Sequence, residues 1–295
     1  MAKHIAAGNI SMAWRGLIAE ILEHGARVTP RGAATKEILN VTIEISNGLN
    51  NIIFSEARDM NYRFMIAEWL WIQAGLNDVE SLARYNSVMR TFSDDGKILK
   101  GAYGPRLHPQ WDYIVNTLKS SPSSRQAVST IWAPSPESSK DIPCTISLQW
   151  MIRDGLLHCT INMRSSDVWL GLPYDFFSFS QLTNGLSARV GVPVGSVTMN
   201  LASSHLYLKN EEKALMVMSE GRAQYLRSPQ LTGELPTPEQ TKSILAVHPG
   251  YMASTIEEQP WEEYEAALAF TKAKALEILS IMSQKEIERY VREAK

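Results

Sequence analysis

The sequence predicts an α+β fold, and three observations predict it. Apolar residues recur at helical spacing near both ends of the chain, the middle alternates apolar and polar residues with the period of strands, and one helical stretch interrupts those strands. Helices and strands thus come in runs rather than in regular alternation.

The first helix is expected over Ile10–His24, where Ala13, Leu17, Ile18, Ile21 and Leu22 form an apolar stripe and Gly25 stops the pattern. A loop with Pro30, Arg31 and Gly32 follows. It leads into a strand through Ile38, Val41, Ile43 and Ile45, the period of one buried face. NYRFMIAEWLWIQAGLND is helical in period, with Gly75 as its stop and Glu68 set among apolar neighbours. SDDGKILKGAYGPRL is rich in turn residues, which puts Tyr103 and Arg106 on a loop. The strands RQAVSTIW, CTISLQWMI and LLHCTINMRSS come next, the last two joined by a hairpin turn at Arg153-Asp154-Gly155. FFSFSQLTNGLSARVG returns to a helix and VTMNLASSHLYL to a strand. Pro236 and Pro238 mark a loop, and the segment from Pro260 to Lys295 is a long charged amphipathic helix or helix pair. No repeat, low-complexity linker or domain boundary interrupts the pattern, so residues 1–295 read as a single domain.

Composition narrows the partners. The chain has 295 residues, 44% of them hydrophobic, and a formal net charge of -2, enough for a sizeable core and too balanced for a general nucleic-acid coat. A local group of arginines still suits a small anionic ligand. Cys144 and Cys159 are the two cysteines, too few for a disulfide scaffold or a thiolate metal site. No run approaches the roughly 18 apolar residues of a membrane span, and a soluble cytoplasmic protein without a metal is expected.

Cys144 follows Pro143 at a strand start. A cysteine there is more often core than nucleophile, unless positive charge such as Arg164 or Arg125 lies beside it. Arg164-Ser165-Ser166-Asp167 sets a guanidinium, two hydroxyls and a carboxylate at a strand end, either a solvated turn or a phosphate site that Arg31 and Arg125 complete. Glu68 is either a paired carboxylate or one that handles protons or water. His205 and Tyr207, two residues apart on a strand, share a face.

Together PCTISLQW, MRSSDVWLGLPYD and SSHLY resemble the thymidylate synthase superfamily from about Arg31 to Tyr207. The resemblance implies a thymidylate synthase-like α+β fold whose mixed sheet, with surrounding helices, packs back to back in a homodimer. A pyrimidine nucleotide and a reduced folate would stack in each cleft, and a divergent helical C-terminal region would begin near residue 211. It implies Cys144 as the thiolate that adds to ring carbon 6. Arg31, Arg164 and Ser165 would hold the phosphate, with Arg125 reaching in from the second subunit and Ser166 among the substrate-binding residues. His205 and Tyr207 would meet the sugar hydroxyl, Glu68 and Tyr103 would order water near the base, and Asp167 would lie on the folate side.

Departures from the synthase pattern direct the substrate expectation. Asp175 stands where synthases carry asparagine, and a carboxyl suits the 4-amino group and N3 of cytosine. That exchange is similar to the deoxycytidylate hydroxymethylases of bacteriophages, which implies dCMP, 5,10-methylene-tetrahydrofolate as cosubstrate, and water as captor of the new one-carbon group. Met89 and Phe92 replace tryptophans on the folate side, Gln126 replaces a second phosphate arginine, and the chain closes on EIERYVREAK without the synthases' apolar tail. Hydroxymethylation of CMP, methylation of dCMP, thymidylate synthesis, and a non-catalytic nucleotide or RNA binder are the alternatives.

Overall fold

The computed structural model describes residues 3–246 apart from 135–137, 222, 229 and 232–234. The long amphipathic segment expected after Pro260 and the closing EIERYVREAK lie outside the described residues. In chain order the elements are β1 (Lys3–Ala7), α1 (Ile10–His24), β2 (Ala26–Val28), β3 (Thr35–Ile45), β4 (Ile52–Phe54), α2 (Tyr62–Gln73), α3 (Val79–Ala83), α4 (Met89–Phe92), α5 (Gly104–Leu107) and α6 (Trp111–Ser120). They continue with β5 (Val128–Thr130), β6 (Thr145–Arg153), β7 (Leu156–Met163), β8 (Ser166–Asp167), α7 (Leu172–Val190), β9 (Val194–Tyr207), α8 (Glu211–Ser219), β10 (Gln224–Leu226) and α9 (Pro238–Ala246).

The chain divides into two compact units. One comprises Met1–Met60, Gln110–Pro136 and Pro143–Gln230, and holds a mixed sheet in the order β1-β3-β9-β7-β6-β5, with β2 paired to β3 and β8 to β9. β9 runs antiparallel to β3 and parallel to β7, so the sheet is mixed at its centre. Register puts Ile43, Met199 and Ile161 side by side on one face, and all three are fully buried. α1 covers this sheet with Ile10, Ala13, Trp14, Leu17, Ile18 and Ile21, the three-and-four spacing of one helix face. Asn9 caps it by accepting from the Met12 amide at 3.0 Å, and the observed Ile10–His24 matches the sequence expectation.

The opposite face of the sheet is polar. Ser147, Asn162, Asn200 and Thr42 sit abreast on β6, β7, β9 and β3, linked by side-chain hydrogen bonds of 3.1, 3.1 and 3.0 Å. A groove of about 330 Å³ runs along them, lined also by Asn40, Ile146 and Ala202. Ile38 departs from expectation: it is half-buried and out of phase with Val41, Ile43 and Ile45. Asn40, at φ 56°, breaks the regular extended backbone between them. The hairpin between β6 and β7 is a two-residue turn, with Arg153 opposite Leu156 and positive φ at both Asp154 and Gly155. That primed geometry matches the strand twist.

α7 is buried almost all round, with Phe176, Phe177, Phe179, Leu182 and Leu186 inside. Thr183 accepts the Trp150 indole N–H at 3.1 Å there, while the buried hydroxyls of Ser178 and Ser180 have no partner among the described residues. It begins at Leu172, earlier than its apolar pattern indicates, because Pro173 fits a helix's first turn.

The second unit holds Asn61–Pro109, Glu137–Ile142 and the chain from Leu231. α2 buries Phe64, Met65, Ile66, Ala67, Trp69 and Leu70 and ends at Gly75, whose N–H reaches the Ile72 carbonyl while that of Leu76 reaches Trp71. Arg106 corrects the loop expectation: it lies on α5, where Pro105 in the first turn favours a helix start, and Tyr103 is the residue before it. Among the described residues no helix is long and apolar enough to cross a membrane, and no cluster of three or more His, Cys, Asp or Glu could hold a metal ion.

Candidate active site

Cys144 lies half-buried immediately before β6. The segment around it is tied to the end of β7: the Arg164 amide donates to the Cys144 carbonyl at 2.9 Å, and Arg164 Nε donates to the Pro143 carbonyl at 2.8 Å. The Arg164 guanidinium also lies 5.6 Å from the centre of the Trp132 ring, a cation–π arrangement. A permanent positive charge is therefore fixed beside the Pro143-Cys144 segment, the setting in which a thiolate is favoured. Cys159 is the reverse case. It is fully buried, and burial pushes its thiol up to about 12, with a hydrogen bond to Thr183 pulling the other way.

The Asp167–Gly171 turn is built from hydrogen bonds on every side. The Val168 amide donates to the His205 carbonyl at 2.9 Å, and its carbonyl accepts the Trp14 indole N–H at 2.7 Å. The amides of Trp169 and Leu170 both donate to Asp167 Oδ1, at 2.8 and 3.0 Å. The Trp169 carbonyl accepts from Arg58 Nε at 2.8 Å, and the Gly171 carbonyl accepts from the amides of Tyr174 and Asp175. A turn so satisfied holds its side chains at fixed positions.

Two carboxyls meet at this turn. Asp175, in the first turn of α7, lies so near the backbone that a Cβ on Gly171 would come within 3.3 Å of its Oδ2 and 3.9 Å of the Asp167 Cβ. Burial, followed by the repulsion of Asp167, pushes the Asp175 carboxyl up to about 7. Burial also raises Asp167, but its two backbone donors and the charges of His205 and Arg58 pull it back. Asp175, half-buried by its accessible surface, has no such counterweight, so its carboxyl is the more strongly raised of the two.

His205 stands opposite Asp167 in the β8–β9 pairing and meets Tyr207 edge-to-face at 5.4 Å, which puts both rings on one face as their spacing predicts. Burial lowers the His205 pKa, Asp167 and Glu37 raise it, and Arg31 lowers it, so Arg31 is within electrostatic reach of this group. Arg31 itself is exposed, at φ 50°. Ser165 is half-buried, while Ser166 is 1% exposed in β8, its hydroxyl without a partner among the described residues. Arg125 is exposed in the loop before β5, where its carbonyl accepts from Gln149. In the second unit, Glu68 is half-buried on α2, Met89 begins α4 and is half-buried, and Tyr103 precedes α5.

The first unit thus brings together Cys144 with Arg164, and Asp167 with Asp175, His205, Tyr207 and Arg31. Sequence reasoning missed Arg58, which joins the second group. Its guanidinium lies 5.4 Å from the Trp169 ring and 5.5 Å from that of Tyr174. Nothing in SEARDMN distinguishes it from any surface arginine, since its partners lie more than 100 residues away.

The chain is 34% identical over 213 residues to the deoxyuridylate hydroxymethyltransferase of Bacillus phage SP01, covering 65% of this chain and 55% of that protein. It is 34% identical over 166 residues to the protein of the same name from Pseudomonas phage M6, covering 53% of this chain and 47% of the other. It therefore spans about half the length of these phage relatives. A putative thymidylate synthase of Methanothermobacter marburgensis is 28% identical over 231 residues, 75% of this chain and 100% of that protein. The family described as thymidylate synthase matches residues 12–252. With that much of the chain matched, and with its mixed sheet and surrounding helices, this protein belongs to the thymidylate synthase family.

Proposed function

We propose that the chain is a folate-dependent transferase that converts dCMP, methylene-tetrahydrofolate and water to 5-hydroxymethyl-dCMP and tetrahydrofolate. The observation that carries this reading is Asp175, a carboxyl pushed up to about 7 and so available in its neutral form, at the family position where synthases have asparagine. A neutral carboxyl donates through one oxygen and accepts through the other, so it can donate to cytosine N3 and accept from the 4-amino group. As Cys144 Sγ adds to ring carbon 6, negative charge grows on N3. The Asp175 proton then moves there and leaves carbon 5 nucleophilic.

The folate supplies the one-carbon unit. Asp167 suits it: Oδ1 is taken by two amides, and the other oxygen of the same carboxylate remains to accept from an N–H of a reduced pterin. Met89 and Tyr103 would line that side, and Glu68 would order the water that completes the reaction. Arg31, Arg164, Ser165 and Ser166 would serve the phosphate, and His205 and Tyr207 the deoxyribose hydroxyl. A second copy of the chain, packed through the polar sheet face, would add Arg125 to the phosphate. The groove and asparagine ladder on that face support a paired surface.

A second reading has its own support, because the phage relatives are named for deoxyuridylate. Incubation with methylene-tetrahydrofolate and an equimolar mixture of dCMP, CMP and dUMP, followed by mass spectrometry, separates the two. The dCMP reading predicts 5-hydroxymethyl-dCMP as the main product. Consumption of dUMP with dCMP untouched would replace it with the uridylate reading.

A further inference from the structure

Among the described residues three contacts hold the Arg58 side chain, none of them with an acidic side chain. Its Nε donates to the Trp169 carbonyl at 2.8 Å, and its guanidinium lies 5.4 and 5.5 Å from the Trp169 and Tyr174 rings. Those two aromatic residues lie in the Asp167–Gly171 turn and in the first turn of α7, the segments that bear the two carboxyls. An arginine engaged through its Nε and held over two aromatic rings keeps its charge at a fixed place. The peptide group whose carbonyl Arg58 grips joins Trp169 to Leu170, and its N–H, that of Leu170, donates to Asp167 Oδ1 at 3.0 Å. The arginine thereby braces the amide that stabilises the Asp167 anion, and adds its own field to it.

The other charged and titratable groups that face the pair are His205 from β9, with Glu37 from β3 and Arg31 acting on that ring in turn. Asp175 faces Asp167 from α7. Among the described residues that stabilise the Asp167 anion, only Arg58 bears a charge that does not titrate near neutral pH. Glu37 is engaged by the Ser203 hydroxyl at 2.5 Å and opposes Arg31 at His205.

We propose that Arg58 is a positioning residue whose fixed charge keeps Asp167 ionised, so that the one proton the two carboxyls share stays on Asp175, where the base is read. The inference rests on the assignment of Asp175 as the base-reading group, and it adds the residue that determines which of two neighbouring acids is the donor. Loss of Arg58 lets the proton divide between the two acids, so that each acid does the other's task part of the time.

The test is carboxyl-carbon NMR titration of the intact protein labelled in aspartate, with Asp167 and Asp175 assigned by Asp167→Asn and Asp175→Asn. Arg58→Met is expected to move the Asp167 midpoint up by about one unit, the size expected on removing a nearby opposite charge. Arg58→Lys, which keeps the charge and loses the flat stacking group, should leave the midpoint within a few tenths of a unit of the wild type. Arg58→Gln removes the charge while retaining a planar donor for the Trp169 carbonyl, and serves if the methionine variant does not fold. An Asp167 midpoint unmoved in the neutral variants, or moved equally by lysine, overturns the proposal. The pH profile of kcat/KM for dCMP is read alongside: midpoints that move while the profile stays still retain Arg58 in this role and remove Asp175 from the proton transfer.

Discussion

Replacing Asp175 by asparagine exchanges a transferable proton for a fixed amide of nearly the same shape. The carboxyl climbs from its ordinary 3.8 to about 7, which corresponds to roughly 4 kcal/mol in favour of the neutral form. That preference makes it a donor to cytosine N3 that can also release its proton as charge grows there. Asparagine can form the same pair of hydrogen bonds but cannot release a proton. With dUMP nothing is lost, because the amide donates to oxygen 4 and accepts from the N3 hydrogen. A lost charge-stabilising interaction of about 1–3 kcal/mol lowers the kcat/KM ratio of dCMP to dUMP by roughly one to two orders of magnitude. The assay is initial rates with each nucleotide at saturating methylene-tetrahydrofolate. In the wild type the dCMP rate should also decline as pH rises past about 7, the Asp175 value, and Asp175→Asn should lack that decline. An unchanged ratio in a folded, active variant refutes the reasoning.

Other outcomes follow from the same geometry. Cys144→Ala should bind nucleotide yet lose exchange of the carbon-5 hydrogen, while iodoacetamide should label wild-type Cys144 and spare Cys159, whose thiol is held near 12; mass spectrometry reads both. Asp175 also makes stability depend on pH: its folded-state pKa is raised, so the native state binds more protons than the unfolded one between about 4 and 7, and stability falls across that window. Asp175→Asn should therefore be more stable than wild type at pH 8, by as much as a few kcal/mol in urea titrations, and equal to it near pH 4. Trp14→Phe removes the indole donor to the Val168 carbonyl and should cost about 1–3 kcal/mol, read by thermal unfolding. Mixing Arg125→Ala with Cys144→Ala subunits should restore activity if two copies complete each phosphate site, and verified hybrids without activity would exclude that sharing.

The fold was legible where one physical signal dominates. α1 is set by an apolar stripe with a cap at one end and a glycine at the other, and the β6–β7 hairpin by Asp154-Gly155; both came out as the sequence predicts. Short or edge elements were not. β1 and β2 are brief strands at the sheet edge, α3 and α4 are single turns, and Arg106 entered a helix because a turn-rich stretch with a proline can also begin one. At the candidate site, the side-by-side placement of His205 and Tyr207 needed only their spacing. The raised carboxyl of Asp175 was not legible, because it depends first on how the fold buries the start of α7 and then on the repulsion of Asp167 eight residues away. Arg58 was invisible for the same reason: its partners are contributed by a turn 111 residues further along the chain.

The most direct measurement is the reaction of dCMP with methylene-tetrahydrofolate in water enriched in heavy oxygen, with the nucleotide product read by mass spectrometry and dihydrofolate followed by absorbance. The account predicts a product that gains one hydroxymethyl group containing the heavy isotope, without formation of dihydrofolate. A product that gains a methyl group with an equal amount of dihydrofolate would contradict it, as would dCMP left unchanged under conditions in which dUMP is consumed.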